Sequence, residues 1–333
     1  MISNCVNAKN ISVLERNCVM AKYCFGVDIG GTTVKIGLFS ETEELIHSFE
    51  IVTRKDEGGS LILSDIAAAV KQTMEEKGID LGDLTGIGLG VPGPVCEDGT
   101  VLKCVNLGWG IFNVADEVRK LTGIENVKVG NDANVAALGE MWKGGGVGYD
   151  NMVMMTLGTG VGGGIIINGK ILAGSKGAAG EIGHLTVNSE EEDTCGCGKR
   201  GCLEQFASAT GIVREANRLL FKSDRPSKLR EIQYLSAKAI FDAAKEGDVL
   251  ANELVEQLGR YLGLACSHIA AVVDPQAFVI GGGVSKAGTI LTDLIKKYYE
   301  NNVMFALKGK EFKLATLGND AGMYGCARMV LEK

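Results

Sequence analysis

From residue 25 onward the chain alternates short apolar runs with glycine turns and helical patterns. FGVDI and VKIGLF, separated by GGTT, are predicted as two β-strands, and ELIHSFEIVT is predicted as a third. Apolar positions then recur at helical spacing in SLILSDIAAAVKQTMEEKG, where Gly78 is a typical stop signal. A strand in TGIGLGV, a helix around FNVADEVRKLTG, a strand in VKVG and a helix from about Ala133 to Trp142 follow. The predicted order of this part is βββαβαβα, which is typical of an α/β protein.

The same order begins again at an offset of 128 residues. FGVDIGGTTVKIGLF at 25–39 aligns with VMMTLGTGVGGGIII at 153–167, strand on strand and glycine turn on glycine turn. This self-similarity indicates an internal duplication. Two similar lobes imply a cleft between them, and clefts between domains are where small ligands bind.

The second unit continues beyond an insertion that contains most of the remaining candidate chemistry. A long helix is predicted in VLANELVEQLGRYLGLACSHIAAVVD, because its leucines recur every four residues, at Leu250, Leu254, Leu258 and Leu262. AFVIGGGVS is predicted as a strand that enters a third glycine turn. FKLATL and a helix from about Asp320 to Leu331 form the last strand and helix.

Composition and charge limit the classes of partner. At 333 residues and 46% hydrophobic content, the chain is long enough for two domains with separate cores. A formal net charge of -7 and the lack of a long Lys/Arg run argue against nucleic acid and anionic membrane as partners, and favour a small molecule. The sequence shows neither a long uninterrupted apolar segment nor a secretory signal, so a cytoplasmic location is expected. Residues 1–22 are polar and unpatterned and are expected to be a tail, too short for a helix-turn-helix domain.

Two glycine motifs formally match nucleotide-binding fingerprints, but their context does not. GTGVGG at 158–163 satisfies the dinucleotide pattern, yet the β-branched run IIINGK follows it where that pattern requires a helix. Gly164 to Lys170 fits the P-loop spacing, but Ile171 replaces the Ser/Thr that would hold Mg²⁺. The glycines are therefore predicted to form hairpin tips. Two such tips facing each other across a cleft would offer backbone N–H groups and threonine hydroxyls to a polyphosphate.

Two aspartates and one lysine are candidates for the chemistry of the cleft. Asp132 stands in VKVGNDANVAALGE, where a strand ends and a helix begins, so its carboxylate is a candidate general base. The alternative is that Asn131 or Asp132 only caps that helix. Asp28 is a second carboxylate directly before the first glycine turn. Lys35 is either a phosphate-neutralising group or a solvated side chain on a strand.

A cysteine cluster in the insertion has the composition of a metal site. Cys195, Cys197 and Cys202 follow His184, and three thiolates with one imidazole make a complete tetrahedral set for Zn²⁺; free thiols are the alternative. A closed set of four ligands is structural, because a catalytic zinc keeps one position open for water. The acidic run 190–193 beside the cluster is expected to be a solvated loop.

Several motifs together resemble a known family. VDIGGTTVKIGL, TLGTGVGGGI and VIGGGVS resemble the two phosphate motifs and the adenosine motif of the superfamily of sugar kinases, heat-shock ATPases and actin. LGVPGPV, GNDANVAALGE, GEIGHLTV and CGCGKRGCLEQ are similar, in order, to motifs of the ROK family, which contains repressors and sugar kinases. The similarity extends from about Tyr23 to Arg328 and is strongest to bacterial ATP-dependent, zinc-containing glucokinases.

The resemblance implies a two-lobed, actin-like α/β fold built from a duplicated ribonuclease H-like unit. Residues 23–130 would form the N-terminal lobe, completed by the C-terminal helix 318–333. Residues 131–317 would form the C-terminal lobe, with a zinc-binding insertion at 174–208.

The resemblance also implies roles for individual residues. Asp132 matches the catalytic base, and Asp28 matches a residue that positions Mg²⁺ through water. The residues implied to bind sugar hydroxyls are Asn106, Asn131, Asp132, Glu181, His184 and Glu204. Those implied to hold ATP are Asp28, Gly30, Gly31, Thr32, Thr33, Lys35, Gly158, Thr159, Gly160, Gly281, Gly282 and Gly283. The implied zinc ligands are His184, Cys195, Cys197 and Cys202.

The activity that the resemblance implies is ATP-dependent phosphorylation of glucose at its 6-hydroxyl, by a homodimer or homotetramer. Kinases for fructose, mannose, allose, N-acetylglucosamine or N-acetylmannosamine share the same pocket residues and remain alternatives. A non-catalytic, sugar-responsive regulator is a third hypothesis.

Overall fold

Residues 22–331 are described by the computed structural model; the predicted tail at 1–22, apart from Lys22, lies outside the described residues. The strands in chain order are β1 (Tyr23–Ile29), β2 (Thr33–Ser40), β3 (Leu45–Val52), β4 (Leu84–Val91), β5 (Thr100–Val101), β6 (Phe112–Asn113), β7 (Val127–Asn131), β8 (Met152–Leu157), β9 (Val161–Ile167), β10 (Lys170–Ile171), β11 (Ala277–Gly281) and β12 (Glu311–Leu314). The helices are α1 (Asp56–Gly59), α2 (Ile62–Lys77), α3 (Val114–Thr122), α4 (Asp132–Lys143), α5 (Glu204–Ala207), α6 (Ala209–Lys222), α7 (Ala237–Lys245), α8 (Val249–Val273), α9 (Thr289–Asn302) and α10 (Ala321–Leu331). Within this part of the chain, none of the helices has both the length and the apolar character that a bilayer span requires.

Two five-stranded mixed sheets repeat one topology. The first has the order β3-β2-β1-β4-β7 and the second the order β10-β9-β8-β11-β12. In each, the first three strands pair antiparallel and the last three pair parallel. The strands of the two sheets therefore correspond one to one in topology, and the first hairpin, β1 and β2, recurs as β8 and β9 at the offset of 128 residues found in the sequence. The parallel strands of each sheet present their carboxyl ends, and the turns that follow them, at one edge.

The strands and helices differ from the predicted set mainly by addition. The structure adds the helices α6, α7 and α9, the short helices α1 and α5, and the two-residue strands β5, β6 and β10. Such short strands lack the four-residue alternation on which prediction depends. The long predicted helix is α8, and its leucines at 250, 254, 258 and 262 are all buried against the second sheet.

Helix α10, at the end of the chain, packs on the first sheet at very short distance. A Cβ added to Gly26 of β1 would overlap the Met323 carbonyl oxygen, and one added to Gly88 of β4 would overlap that of Cys326. Only glycine at these two strand positions lets the helix backbone lie this close to the sheet. Helix α10 also packs along α4, so these two helices join the first sheet to the second.

Candidate active site

Two adjoining cavities lie where the glycine turns of both sheets meet. The first has a volume of about 530 Å³ and the second about 520 Å³, which is within the range of small-molecule sites. The residues that line both cavities are Pro92, Asn106, Asp132, Ala133, Thr156 and Gly162. Asp132 therefore lies at the boundary between two compartments.

At the junction between β7 and α4, Asn131 and Asp132 have different contacts, which distinguish a helix cap from a candidate base. Asn131 is the helix cap, because its side-chain oxygen accepts hydrogen bonds from the backbone N–H groups of Ala133 (3.0 Å) and Asn134 (3.2 Å). Its amide nitrogen donates to the Gly93 carbonyl (3.1 Å) and to Asp132 Oδ1 (2.9 Å). Asp132 Oδ1 also accepts from the Ala133 N–H at 2.8 Å. The Asp132 carboxylate is thus oriented through one oxygen.

Burial and charge both disfavour ionisation in this part of the cleft. Burial raises the pKa of Asp132, and the negative charge of Glu181 raises it further, against the hydrogen bonds from Ala133 and Asn131 that lower it. Burial and the charge of Asp132 raise the pKa of Asp28 to about 6, against the lowering effect of Lys35. The two aspartates therefore form a pair of close anions that a cation would stabilise.

Lys35 lies opposite Asp28 in the β1–β2 register and lines the first cavity. Its ammonium group is 2.7 Å from Asp320 Oδ1 and 3.3 Å from Glu50 Oε1, and the hydrogen bond to Asp320 raises its pKa. The side chain is paired, with only 21% of it exposed, so of the two alternatives for Lys35 a simply solvated side chain is the one that these contacts do not support.

Glu204 connects the second glycine hairpin to the insertion. Its Oε2 accepts a hydrogen bond from the Val161 N–H at 3.0 Å, directly after the hairpin tip. A Cβ added to Gly160 would overlap the same oxygen, so the carboxylate occupies the space that a side chain at 160 would need. Glu204 Oε1 lies 3.9 Å from Cys195 Sγ, which places one carboxylate between the hairpin and the cysteine cluster.

The four predicted metal ligands come together. One ligand atom from each of His184, Cys195, Cys197 and Cys202 lies within 4.8 Å of all the others. Cys197 Sγ and Cys202 Sγ are 3.6 Å apart, and Cys195 Sγ is 3.9 Å from His184 Nδ1. The other ring nitrogen, Nε2, lies 3.9 Å from Oε2 of Glu181, a residue that lines the second cavity. The imidazole therefore lies between the sulfur of Cys195 and the Glu181 carboxylate.

The acidic run at 190–193 is not a simple solvated loop. The side chain of Glu191 is 3% exposed, and its carboxylate accepts hydrogen bonds from Arg214 (2.9 Å) and Arg218 (2.8 and 2.9 Å) on α6. These guanidinium groups lower the pKa of Glu191 to about 2, with Arg218 as the largest cause. The expectation was wrong for Glu191, because its partners lie on a helix that the local charge pattern does not include.

Most, but not all, of the predicted site residues line the two cavities. The first contains Asp28, Gly30, Gly31, Thr33, Lys35, Asn106 and Asp132, and the second contains Asn106, Asn131, Asp132, Gly158, Gly160, Glu181, Glu204 and Gly282. Thr32, Thr159, Gly281, Gly283 and His184 do not appear in either lining, and Thr32 and Thr159 are exposed.

The structure adds lining residues that the motifs did not single out. Thr156 lines both cavities, and Gly318, Asn319 and Gly322 line the first. The internal repeat contained a signal for Thr156, since it occupies the position in the second unit that Asp28 occupies in the first. The segment from Gly318 to Gly322 lies outside the quoted glycine motifs and gave no such signal.

Comparison with known proteins gives one consistent family. The profile of the ROK family matches residues 24–333. The glucokinase of Halalkalibacterium halodurans is 44% identical over 94% of this chain and 96% of its own length. The glucokinase of Thermotoga maritima is 34% identical over 92% and 97%, respectively. Among solved structures, a ROK family glucokinase from Streptomyces griseus in complex with glucose and AMPPNP matches with a TM-score of 0.69 and 35% identity, over 93% of this chain and 98% of that one.

Proposed function

This chain belongs to the ROK family, and we propose that it is a glucokinase that transfers the γ-phosphoryl group of ATP to the 6-hydroxyl of glucose. The observation that carries the proposal is the position of Asp132 in the lining shared by the two cavities. A base at that boundary can contact a hydroxyl in one compartment while the phosphate chain lies in the other. The named relatives and the glucose-bound neighbour support the same substrates.

In this mechanism Asp132 removes the proton of the 6-hydroxyl of glucose while the oxygen of that hydroxyl attacks the γ-phosphorus of ATP and ADP leaves. The hydrogen bonds to Oδ1 from Ala133 and Asn131 hold the carboxylate in one orientation, which leaves Oδ2 to take the proton. Burial raises the pKa of Asp132, which makes it a stronger base than an exposed aspartate. Glu181 and Glu204 would accept hydrogen bonds from the other hydroxyls, and Asn106 would either accept from them or donate to them.

The first cavity would hold the phosphates. The β1–β2 turn lines this cavity through Gly30 and Gly31. The Gly30 N–H donates to the Thr33 carbonyl at 3.0 Å, so the Gly31 N–H would be the one offered to phosphate, and Lys35 would supply positive charge. Asp28 offers hard carboxylate oxygens of the kind that Mg²⁺ takes through its bound water. Mg²⁺ bound with ATP would neutralise charge on the phosphates and on the Asp28–Asp132 pair.

We further propose that His184, Cys195, Cys197 and Cys202 hold a structural zinc ion. Two sulfurs on one tetrahedral Zn²⁺ are about 3.8 Å apart, as follows from Zn–S distances of about 2.3 Å. The 3.6 Å between Cys197 Sγ and Cys202 Sγ fits that geometry. His184 would bind the metal through Nδ1 and present Nε2 to the sugar, since these nitrogens face the sulfurs and Glu181 respectively.

The zinc proposal is tested by metal content. Cys197→Ala should lose the zinc that the parent protein retains, as measured by elemental analysis, and should weaken glucose binding because His184 and Glu204 lose their support. Cys96→Ala, at a half-buried cysteine outside the cluster, should keep both. Full glucose affinity in a zinc-free Cys197 variant would contradict the role given to the metal.

We propose the arrangement of lobes that the resemblance implied. Helix α10 packs on β1 and β4, which supports assigning residues 318–333 to the N-terminal lobe with 23–130. Residues 131–317 would form the C-terminal lobe, with the zinc-binding insertion at 174–208. Assembly as a homodimer or homotetramer and a cytoplasmic location are part of the same proposal.

The test of the reaction is ADP release measured over a panel of hexoses. Glucose should give the highest kcat/KM, while a higher value for fructose, mannose, allose or an N-acetylated hexosamine would change the substrate but keep the chemistry. No ADP release with any of the sugars would overturn the kinase proposal and favour a non-catalytic, sugar-responsive regulator.

The test of the base is Asp132→Asn, which should lose turnover while glucose binding, measured by calorimetry, stays within a few-fold of the parent value. Asp116→Asn is the matched control, because Asp116 also lies in the first turn of a helix capped by asparagine. Near-normal activity in Asp132→Asn would refute the assignment.

A further inference from the structure

Glu140 is a fully buried carboxylate that lines neither cavity. It is the last residue of the motif GNDANVAALGE and belongs to the final turn of α4. Burial of a charged group is costly unless hydrogen bonds compensate for the lost water. The contacts of Glu140 therefore indicate what its carboxylate does.

The carboxylate accepts hydrogen bonds from three backbone N–H groups. Oε2 accepts from Gly145 at 2.8 Å and from Thr316 at 3.0 Å, and Oε1 accepts from Leu317 at 2.8 Å. Gly145 follows α4 on the way to β8, whereas Thr316 and Leu317 connect β12 to α10. One side chain thus joins the two stretches of chain that run between the first and the second sheet.

The backbone around Glu140 is built to fit the carboxylate. A Cβ added to Gly144 would overlap Oε2, and one added to Gly145 would overlap the Leu314 carbonyl oxygen. At Gly139, the residue directly before Glu140, an added Cβ would overlap the Ala321 carbonyl oxygen of α10. Helices α4 and α10 therefore touch at backbone distance beside this carboxylate.

The segment held by Glu140 leads directly into the phosphate cavity. Gly318, Asn319 and Gly322, which follow Leu317, line the first cavity. A Cβ added to Gly322 would overlap Asp28 Oδ2, so this segment lies against the aspartate assigned to the phosphate site. A displacement of residues 316–317 would therefore move one wall of that cavity.

We propose that Glu140 is a positioning residue for the nucleotide. It fixes Thr316 and Leu317, so that the backbone from Gly318 to Gly322 forms a wall of the phosphate cavity in register with Asp28. It does not touch the substrates, and it lies away from the sugar-binding groups of the second cavity. The inference rests on the proposed ATP-dependent activity.

The prediction depends on the chemistry of the carboxylate. An ionised carboxylate only accepts hydrogen bonds, so both oxygens suit a set of three donors. In Glu140→Gln, the side-chain NH2 group would point at one of these three backbone N–H groups. Two donors would then face each other, and both would be left buried without an acceptor. The segment 316–317 would then lose its fixed position although the shape of the side chain is kept.

The experiment measures binding of the ATP analogue AMPPNP with Mg²⁺, and separately of glucose, to the full chain by calorimetry. Glu140→Gln should raise the Kd of AMPPNP by about tenfold or more and change the Kd of glucose by less than about twofold. Glu311→Gln is the matched control on the preceding strand, where the carboxylate is exposed and pairs only with Lys313 among the described residues, and it should match the parent.

Leu317→Pro provides a second variant that leaves Glu140 in place. Leu317 has φ of -77°, which proline can adopt. The substitution removes the N–H that donates to Glu140 Oε1 and puts the ring Cδ in its place, against that oxygen, so the contact is lost. It should raise the Kd of AMPPNP by several-fold, and it decides the question if Glu140→Gln does not fold.

The proposal is overturned if folded Glu140→Gln, or Leu317→Pro in its place, binds AMPPNP as tightly as the parent does, even if its melting temperature is lower. It is also overturned if the affinity for glucose falls by as much as the affinity for AMPPNP. Failure of the parent protein to bind AMPPNP would instead refute the kinase function on which the inference rests.

Discussion

Replacing Asp28 by asparagine should stabilise the free protein at neutral pH. Burial and the neighbouring charge of Asp132 raise the pKa of Asp28 from an ordinary 3.8 to about 6. At about 1.4 kcal/mol per pKa unit, the ionised form costs the native state up to about 3 kcal/mol. The amide side chain of the Asp28→Asn variant would carry no charge and would avoid this cost.

The sign of the pH dependence follows from proton binding. Between about pH 4 and pH 6 the native state holds a proton on Asp28 that the unfolded chain has already lost. As the pH rises through this interval, the free energy of unfolding of the parent protein therefore falls relative to that of Asp28→Asn. The full difference between the two proteins remains at every higher pH. Below about pH 4 both states are protonated and the difference disappears.

Thermal unfolding between pH 4 and pH 8, without nucleotide and magnesium, measures this difference. An unfolding entropy of about 2.1 cal/mol/K per residue gives about 0.7 kcal/mol/K for this chain, so 3 kcal/mol corresponds to about 4 °C at pH 8. Asp116→Asn, at an exposed aspartate, should show no such pH-dependent gain. Parallel profiles for the parent and Asp28→Asn, or a lower melting temperature of Asp28→Asn at pH 8, would refute the reasoning.

Two further predictions concern the sugar side of the cleft. Glu181→Gln should move the acidic limb of the pH profile of kcat to lower pH at saturating glucose, because the charge of Glu181 raises the pKa of Asp132; an unmoved limb would contradict this coupling. Gly160→Ala should raise KM for glucose by at least about tenfold, because the added methyl group displaces the Glu204 carboxylate. Gly82→Ala, which has open space around its Cβ and lines neither cavity, should not, and equal KM values for both variants would refute the role of that contact.

Local sequence patterns were sufficient for the features whose residues are close in sequence. The two glycine hairpins, the strand and helix around Asp132 and the cysteine cluster each lie within a short stretch, and the structure has them where the patterns indicated. Whether Asn131 or Asp132 caps helix α4 depends on how these two adjacent side chains are oriented, and the sequence pattern does not contain that information. The burial of Glu191 depends on Arg218, which is 27 residues away on another helix. The hydrogen bonds of Glu140 leave no local signal in the sequence, because its donors are as far as 177 residues away.

The internal repeat suggests why helix α4 can couple the two halves of the reaction. Strands β7 and β12 are equivalent last strands of the two sheets, and their carboxyl ends lead to different functions. The end of β7 leads into Asp132, the first residue of α4, whereas the end of β12 leads into the segment that Glu140 holds. Asp132 and Glu140 are separated by about 12 Å along the axis of that one helix, at 1.5 Å per residue. A single helix therefore sets the distance between the proposed base and the carboxylate that holds one wall of the proposed phosphate site.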